Sequence, residues 1–442
     1  MRSTAPIFTA VAVALTAIAT GATRTALTPA LAGPEPVTYS NQVARLVQQH
    51  CQGCHRPGEV APFSLLTYDD AYQKRDKILR AVEQRKMPPW KPVPGFGDFA
   101  DSRRLADADI ATFRAWLDAE APEGDRRDLP PPRQFSDTWA LGTPEAVLAA
   151  DVDFEVPAGD RDLYRCFVIP TSFPEDRYLS GVEFVPGNRK IVHHVITYLD
   201  TEGHAAALDR ADPGPGYTCF GGPGFPTRGG LGGWAPGARP DVLPDGVAML
   251  LPAGAAVIVQ VHYHNRTGSP QQDRTRLGLH FATGRVDKRV RAIPVLNRDF
   301  VIPAGAERHG VRASYTLPPA WNLHAIAIFP HMHLLGREMK VTATYPDGTV
   351  RPLLWIDDWD FHWQGSYRFA APVPLPGGTR IDVEAAYDNS TRNKRNPNSP
   401  PKETRWGEET TDEMCIAFLR VTVDGERLDH LPRYGQAAAS PR

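Results

Sequence analysis

A strand pattern typical of this chain is Ala256-Val257-Ile258-Val259-Gln260-Val261-His262-Tyr263-His264-Asn265. Valines occupy alternate positions, and residues two apart on a β-strand point to the same face. We expect the valine face to pack in a core. The other face, which carries Gln260, His262 and His264, is polar enough to hold a functional site.

Similar short runs, separated by Gly, Pro, Asn and Asp turns, continue through the last three hundred residues. Residues 341–345, followed by Pro346-Asp347-Gly348, are an example. Strands at such intervals predict β-sandwich or jelly-roll folds. Because a sandwich takes roughly 100–150 residues, we predict two of them, at 137–287 and 288–432.

Composition limits the class of protein. The chain has 442 residues, of which 42% are hydrophobic and 23% charged, as in folded proteins of two or three domains. The formal net charge is -2, and without a basic footprint we expect no nucleic-acid partner.

The N-terminus has the parts of a secretory signal peptide. Arg2 precedes an apolar stretch at 7–19, and Ala30-Leu31-Ala32 offers a cleavage site. We predict a signal peptide at 1–32, a periplasmic or secreted protein, and no membrane span in the mature chain. An uncleaved N-terminal anchor is the alternative.

The run Cys51-Gln52-Gly53-Cys54-His55 has the C-x-x-C-H spacing of a c-type haem attachment site. The two thiols would form thioethers with the haem, and His55 would be the proximal iron ligand. A thioredoxin-like redox motif is the alternative, but it needs a βαβ context, whereas residues 39–50 look helical. We predict one haem c.

Met87, in Lys86-Met87-Pro88-Pro89-Trp90, is the candidate for the second axial ligand, because prolines can hold an extended loop over a haem face. The alternative is that Met87 packs in a core. Ile110, Phe113 and Leu117 have helical spacing. We therefore predict a small all-α cytochrome c domain at 37–121, followed by a proline-rich linker at 122–136.

Three clustered histidine pairs indicate metal binding. Two of them, His262 with His264 and His331 with His333, can share a strand face. The adjacent His193 and His194 can reach one metal only at a bulge or a strand end. Imidazole-rich sites suit Cu, Zn, Fe or Ni, and the thioether of Met414 favours copper.

Four motifs occur in the order and at separations that resemble the copper type II ascorbate-dependent monooxygenases, the family of dopamine β-hydroxylase and peptidylglycine α-hydroxylating monooxygenase. They are Val192-His193-His194-Val195, Gln260-Val261-His262-Tyr263-His264-Asn265, His331-Met332-His333-Leu334-Leu335-Gly336 and Asp412-Glu413-Met414-Cys415. The whole chain looks like a bacterial fusion of this family with a cytochrome c.

The resemblance implies two copper ions in two β-sandwich domains that face each other across an open, solvent-filled cleft. It assigns the electron-storage copper to His193, His194 and His262. It assigns the copper that binds dioxygen to the catalytic residues His331, His333 and Met414. His264 stays outside the ligand set, because the family uses only the first histidine of that motif.

The implied reaction is hydroxylation of a C–H bond in a small organic substrate with one atom of dioxygen. We expect the haem, reduced by a periplasmic donor, to replace an ascorbate-like reductant and to feed the His193, His194 and His262 copper first. Alternatively the cytochrome serves another partner. The second function class is a non-catalytic haem and copper protein for electron transfer or copper binding.

Two departures from the family matter. Phe418 stands where the family has a tyrosine, so substrate positioning is expected to differ. The family's cysteine after the methionine ligand is disulfide-bonded within the second domain, but here Cys415 has no partner beyond residue 219. We predict a Cys166–Cys219 disulfide and a buried free thiol at Cys415.

Overall fold

The computed structural model describes residues 36–429, except 136–138, 160, 228 and 237. The predicted signal peptide at 1–32 lies outside the described residues. Among the residues that are described, no helix combines the length and apolarity needed to cross a membrane.

The helical segment, residues 37–133, begins with a π-helical turn at Tyr39–Val43 and carries three α-helices. These are α1 (Ala44–His50), α2 (Tyr68–Glu83) and α3 (Asp107–Asp118). A capping box starts α2, since Asp70 N–H donates to Thr67 Oγ1 (3.1 Å) and Thr67 N–H donates back to the Asp70 carboxylate (3.2 Å). The helical spacing predicted for α3 is confirmed, because Ile110 and Phe113 are buried in the core of this segment.

The predicted linker lies along the helical segment instead of leaving it. Tyr39 N–H and the indole Nε1–H of Trp116 both donate to the carbonyl of Pro122, at 2.9 and 3.0 Å. Further on, Arg133 donates to the carbonyl of Gln48 (2.9 Å). The domain boundaries at 121 and 137 stay predictions.

The middle of the chain forms the first sandwich, with thirteen strands in its described part. They are β1 (Ala146–Ala149), β2 (Phe154–Val156), β3 (Leu163–Pro170), β4 (Arg177–Val185), β5 (Val192–Asp200), β6 (Tyr217–Thr218), β7 (Gly233–Trp234), β8 (Asp241–Val242), β9 (Val247–Leu251), β10 (Ala256–Tyr263), β11 (Gln271–Asp273), β12 (Arg276–Phe281) and β13 (Lys288–Arg289). Helix α4 (His204–Ala211) lies between β5 and β6. One sheet has the order β1-β12-β4-β9-β13, with β8 beside β4, and the other has the order β6-β3-β10-β5-β7.

Strand β10 is the centre of the second of these sheets and matches its predicted alternation. Val257, Val259 and Val261 are at most 1% exposed and pack in the first sandwich's core. The other face is buried as well, because residues 217–219 cover it. Gln260 Nε2 donates to the carbonyl of Cys219 at 2.8 Å, so this amide holds the backbone there.

The second sandwich follows directly, with ten strands in its described part. They are β14 (Arg291–Asn297), β15 (Val301–Ile302), β16 (His309–Thr316), β17 (Leu323–His331), β18 (Gly336–Thr344), β19 (Val350–Ile356), β20 (Tyr367–Leu375), β21 (Arg380–Tyr387), β22 (Thr404–Arg405) and β23 (Cys415–Val423). The sheets β14-β23-β17-β20 and β16-β21-β18-β19 bury side chains in one shared core, as two sheets packed face to face do.

Residues 90–101, which we call the strap, run from the helical segment onto the second sandwich. Val93 N–H donates to the carbonyl of Trp355 (2.8 Å), and Ala100 N–H to that of Arg368 (2.9 Å). The ring of Phe99 stacks on Phe369 with centroids 5.4 Å apart. The strap therefore extends the sandwich with both hydrogen bonds and aromatic packing.

The prediction of a small all-α cytochrome c domain ahead of two all-β sandwich domains is wrong in its first part. The structure is mostly β, with 35% strand and 13% helix, and the chain from Val37 onward is a single compact unit. The strap explains the error. The helices have a core of their own, but Trp90 and Phe99 pack against the core of the second sandwich, so the helical segment is not a separate domain.

Candidate metal sites

The first histidine cluster forms where strands β5 and β10 pair irregularly. His262 lies opposite His194 and Tyr263 lies opposite Val192, so His193 is an extra residue in a β-bulge. A bulge re-aims a side chain that would otherwise point to the opposite face. The expectation that adjacent histidines need a bulge or a strand end to share a site is therefore confirmed in its geometry.

His193, His194 and His262, which we call cluster A, present their ring nitrogens to one another. The Nδ1 atom of His194 is 3.4 Å from that of His193 and 3.3 Å from that of His262. Imidazole–metal bonds of about 2.0–2.1 Å at a tetrahedral angle hold their nitrogens about 3.3 Å apart. The three imidazoles are thus spaced as ligands of one ion.

The surroundings of His193 and His194 favour the neutral form of both imidazoles. Burial, reinforced by the neighbouring His262, lowers the pKa of His193 to about 3 and that of His194 well below its usual value. Since a metal binds the neutral form of histidine, these two side chains can bind an ion at neutral pH without losing protons.

Asp162 and Tyr164 of the first sandwich surround His262 and were not identified from the sequence. The ring of Tyr164 stacks on His262 with centroids 4.2 Å apart and planes 10° apart. One oxygen of Asp162 is 2.8 Å from Nδ1 of His264 and 3.2 Å from Nε2 of His262. Only the first contact has hydrogen-bond geometry, which leaves the buried His262 Nε2 without a hydrogen-bond partner among the described residues.

This arrangement explains why His262 and His264, which are two residues apart in the sequence, have different roles. His264 follows the last residue of β10, and its ring bonds Asp162 instead of joining cluster A. Tyr164 lies opposite His262 in the β3–β10 ladder, and Asp162 precedes Tyr164 by two residues. This position in the ladder is the signal that could have identified Asp162.

The second group of predicted ligands lies at the end of strand β17. His331 and His333 flank Met332, which is fully buried in the core of the second sandwich, and their ring centroids are 5.1 Å apart. His331 lies opposite Ile416 of β23, two residues after Met414. The carboxylate of Glu413 accepts backbone N–H bonds from both His333 and Met414, which brings the two chain segments together. We call His331, His333 and Met414 cluster B.

Each imidazole of cluster B is held by a hydrogen bond from one of its own two ring nitrogens. Nδ1–H of His331 donates to Oε1 of Gln364 (2.6 Å), and Nδ1–H of His333 donates to the carbonyl of Asp412 (3.1 Å). Such bonds fix the tautomer and leave Nε2 of each ring for a metal. Burial, aided by His331, also lowers the pKa of His333 to about 3. Two imidazoles beside a thioether suit copper.

Glu413 ties the two halves of cluster B together and was missed by the sequence reasoning. Its fully buried carboxylate accepts backbone N–H bonds from His333 (2.9 Å), Leu335 (2.6 Å) and Met414 (3.1 Å). Burial raises the pKa of Glu413 to about 8. An acidic residue directly before Met414 and a hydrophobic strand was the only signal in the sequence.

The side chain of Phe361 lies next to both clusters. Phe361 is 7% exposed, stacks on His193 with centroids 5.5 Å apart, and meets His333 edge-on at 5.8 Å. One aromatic ring therefore contacts a histidine of each cluster. The solvent-filled cleft that the resemblance implies stays a prediction.

The predicted haem motif lies in the turn after α1. Cys51 and Cys54 are free thiols, and Nδ1–H of His55 donates to the carbonyl of Phe63 (3.1 Å). That bond leaves Nε2 of His55 for an iron, so the residues present fit a haem c. Met87 is half-buried in the loop after α2, and its role as a ligand stays a prediction.

The cysteine predictions are confirmed. Cys166 and Cys219 form a disulfide with an S–S distance of 2.06 Å, and Cys415 is buried and free. Phe418, which stands where the family has a tyrosine, packs against Phe329 with ring centroids 6.2 Å apart.

Residues 293–422 match the model of the copper type II ascorbate-dependent monooxygenase C-terminal domain. The match includes cluster B and leaves cluster A outside. A curated relative is the human "DBH-like monooxygenase protein 1", which is 26% identical over 296 residues. The alignment covers 61% of this chain and 46% of that protein, so the chain spans about half the length of its relative.

Two solved structures also align over much of the chain. One is the structure of the infectious bursal disease virus Gx strain, at 11% identity, with 69% of this chain and 78% of that chain covered and a TM-score of 0.21. The other is PNGF-II, at 10% identity, 63% and 65% coverage and a TM-score of 0.25. Scores this low carry no argument about this protein.

The sequence relatives support copper as the metal and a copper monooxygenase, an oxidoreductase, as the class of enzyme. Dioxygen and an ascorbate-like reductant are consistent with that family.

Proposed function

We propose that this protein is a periplasmic copper monooxygenase that hydroxylates a C–H bond of a small organic substrate with dioxygen and receives electrons through a covalently bound haem c. One observation carries the proposal. There are two ligand clusters of unlike softness, three imidazoles in cluster A and two imidazoles with a thioether in cluster B, and the ring of Phe361 contacts one histidine of each.

The two clusters have different ligands and therefore different roles. Copper supplies the one-electron and dioxygen chemistry, and the chain sets where it is held. Cluster A is the electron store, because its three nitrogens offer no soft ligand. The thioether of Met414 would favour copper(I), the state needed for dioxygen chemistry, so cluster B would be the hydroxylating site.

The residues around cluster B keep its ligands in place. Gln364 and the carbonyl of Asp412 hold the ring tautomers of His331 and His333, and Glu413 fixes the backbone of His333 relative to Met414. Ligands held by such outer bonds lose little freedom when a metal binds.

The contacts of the helical segment support electron supply by the haem. Glu59, four residues after His55, forms an ion pair with Arg189 (2.9 Å), which lies four residues before His193 of cluster A. The strap attaches the same segment to the second sandwich. A haem on Cys51 and Cys54 would therefore be carried by a segment that contacts both sandwiches. A soluble ascorbate-like reductant is the alternative donor.

Metal analysis with EPR tests the proposal. We expect two type 2 copper ions and one low-spin haem per chain, with the haem ligated by His55 and Met87. Met414→Leu should remove copper(I) binding at one site only. The matched control Met339→Leu, a fully buried methionine in the same core, should leave both sites filled. Zinc, or a single copper, in the unsubstituted protein would contradict the proposal.

Haem reoxidation tests the electron route. Haem reduced under anaerobic conditions and mixed with oxidised copper-loaded clusters should reoxidise faster than in copper-free protein, and His193→Ala should abolish that difference. Equal rates with and without copper would assign the haem to another partner. The second function class, a non-catalytic haem and copper protein, predicts no hydroxylated product from a metabolite pool under dioxygen.

A further inference from the structure

Residues 359–364, which we call the bridge loop, contact both histidine clusters. The indole Nε1–H of Trp359 donates to the carbonyl of His333 (3.1 Å), and Gln364 accepts from Nδ1 of His331 (2.6 Å). Between these two contacts, the ring of Phe361 lies against His193 and His333. The loop thus orients cluster B and touches cluster A through one side chain.

The backbone of the bridge loop is itself held on both sides. Nε2 of Gln364 donates to the carbonyl of Phe361 (3.0 Å), and Arg395 donates to the carbonyl of Trp359 (2.8 Å). Arg395 also pairs with Asp360 (3.2 Å). These bonds fix the backbone that carries the Phe361 ring, so the ring is held in contact with His193 and His333.

The strap continues this support into the helical segment. Lys91 pairs with Asp358, directly before the bridge loop, at 2.8 Å. Two residues along the strap, Val93 N–H donates to the carbonyl of Trp355 (2.8 Å). The segment with the haem motif and the bridge loop are therefore joined by short contacts on one side of the second sandwich.

We propose that Phe361 is a positioning residue that sets the separation of the two copper sites by contacting one histidine of each cluster. This inference rests on the proposed function. Electron transfer between the sites oxidises one copper ion and reduces the other by one electron. A fixed spacing keeps this transfer in step with substrate oxidation and so limits the release of partly reduced oxygen.

The geometry separates this role from simple packing. Phe329 is a second phenylalanine beside a ligand, but it stacks only on His331, with centroids 6.3 Å apart. Only Phe361, among the ring contacts of the described residues, joins a histidine of cluster A to one of cluster B. Phe329→Leu is therefore the matched control for Phe361→Leu.

The test measures the magnetic coupling of two copper(II) ions by EPR in the full-length protein loaded with copper. We expect a single, well-defined dipolar coupling in the unsubstituted protein and in Phe329→Leu. Phe361→Ala should replace it with a weaker and broader distribution, and Phe361→Leu should lie between the two. With ascorbate and dioxygen, hydrogen peroxide released per dioxygen consumed should rise in the same order.

Copper content and thermal unfolding are measured on every variant, so that a folding defect is recognised. If Phe361→Leu binds two coppers, unfolds normally and keeps the original coupling, the inference is overturned while the proposed function stands. If the unsubstituted protein binds fewer than two coppers, the proposed function and the inference fail together.

Discussion

Clusters A and B each bring potential metal ligands together, but they do so in different ways. Cluster A uses an irregularity of the backbone, because the bulge at His193 turns two adjacent histidines toward His262. Cluster B lies at the end of a regular strand. There the buried carboxylate of Glu413 accepts backbone hydrogen bonds from both His333 and Met414. The comparison shows that a ligand can be aimed by register or by a buried hydrogen-bond acceptor.

The largest expected effect comes from removing a ligand. His194→Ala should reduce copper from two ions to one per chain and leave the cluster B signal intact, because the clusters share no ligand. His331→Ala should do the reverse. Metal analysis with EPR measures both. His264→Ala is the control that keeps two coppers, since this ring bonds Asp162. Loss of both ions in either ligand variant would show that the sites are not independent.

The second-largest expected effect is a loss of stability that distinguishes the two sandwiches, because only the first one contains a disulfide. Cys166 and Cys219 are 53 residues apart, so replacing both with serine should lower the free energy of unfolding by about 4 kcal/mol. Denaturant unfolding measures this change. Cys415→Ala, in the second sandwich, should cost only about 1 kcal/mol.

The same disulfide variant should also weaken copper binding at cluster A alone. Gln260, two residues before His262, donates to the carbonyl of Cys219 and would lose a fixed partner. A weaker cluster B in this variant would contradict the separation of the two sandwiches.

Glu413→Gln tests how cluster B is fastened. An amide has one acceptor oxygen where the carboxylate has two, and its NH₂ group would face backbone donors. We expect a loss of about 1–3 kcal/mol in unfolding free energy. Copper affinity at cluster B should fall about 10–100-fold, with cluster A unchanged.

Asp162→Asn is the counterpart of Glu413→Gln at cluster A. It should weaken copper binding at cluster A only. Equilibrium titration with a copper chelator measures both affinities. Equal weakening of the two clusters by either variant would disprove the distinction between them.

The smallest effect concerns the joint between the sandwiches. Glu426 lies beyond β23 and accepts from Arg289 at 2.7 Å, beside Arg291 at 2.9 Å. Burial alone would raise the pKa of Glu426, but the bonds to Arg289 hold this pKa below its usual value. Since the folded pKa is depressed, the stabilisation is present above the unfolded pKa and is lost as pH falls through the folded one.

Glu426→Gln should therefore lower the free energy of unfolding by about 1.5 kcal/mol at neutral pH. The difference from the unsubstituted protein should shrink as the pH falls below about 4, because the carboxylate is protonated first in the unfolded state and then, at lower pH, in the folded state. Urea unfolding at a series of pH values measures it. A difference that stays constant down to pH 3 would assign the effect to packing instead of charge.

Much of the fold and the candidate site follows from local patterns. The alternation along β10 predicted its core face, and the spacing of Ile110 and Phe113 predicted a helix. The histidine pairs indicated where metals would be held. These features depend on residues within a turn or a strand of one another, so periodicity is enough to find them.

Other features depend on contacts between distant parts of the chain. The strap pairs with residues more than 250 positions away, and this pairing is why the separate all-α domain was wrong. Phe361, Glu413 and Asp162 carry no pattern of their own, because their roles come from the side chains that surround them.

The sequence by itself determined the residue types of both clusters and of the haem motif, since ligand chemistry belongs to the side chains. The tertiary structure alone decided that His193 occupies a bulge, that His264 turns to Asp162, and that one phenyl ring contacts a histidine of each cluster. The physical reason is that register, burial and the packing between sheets are set by the whole chain at once.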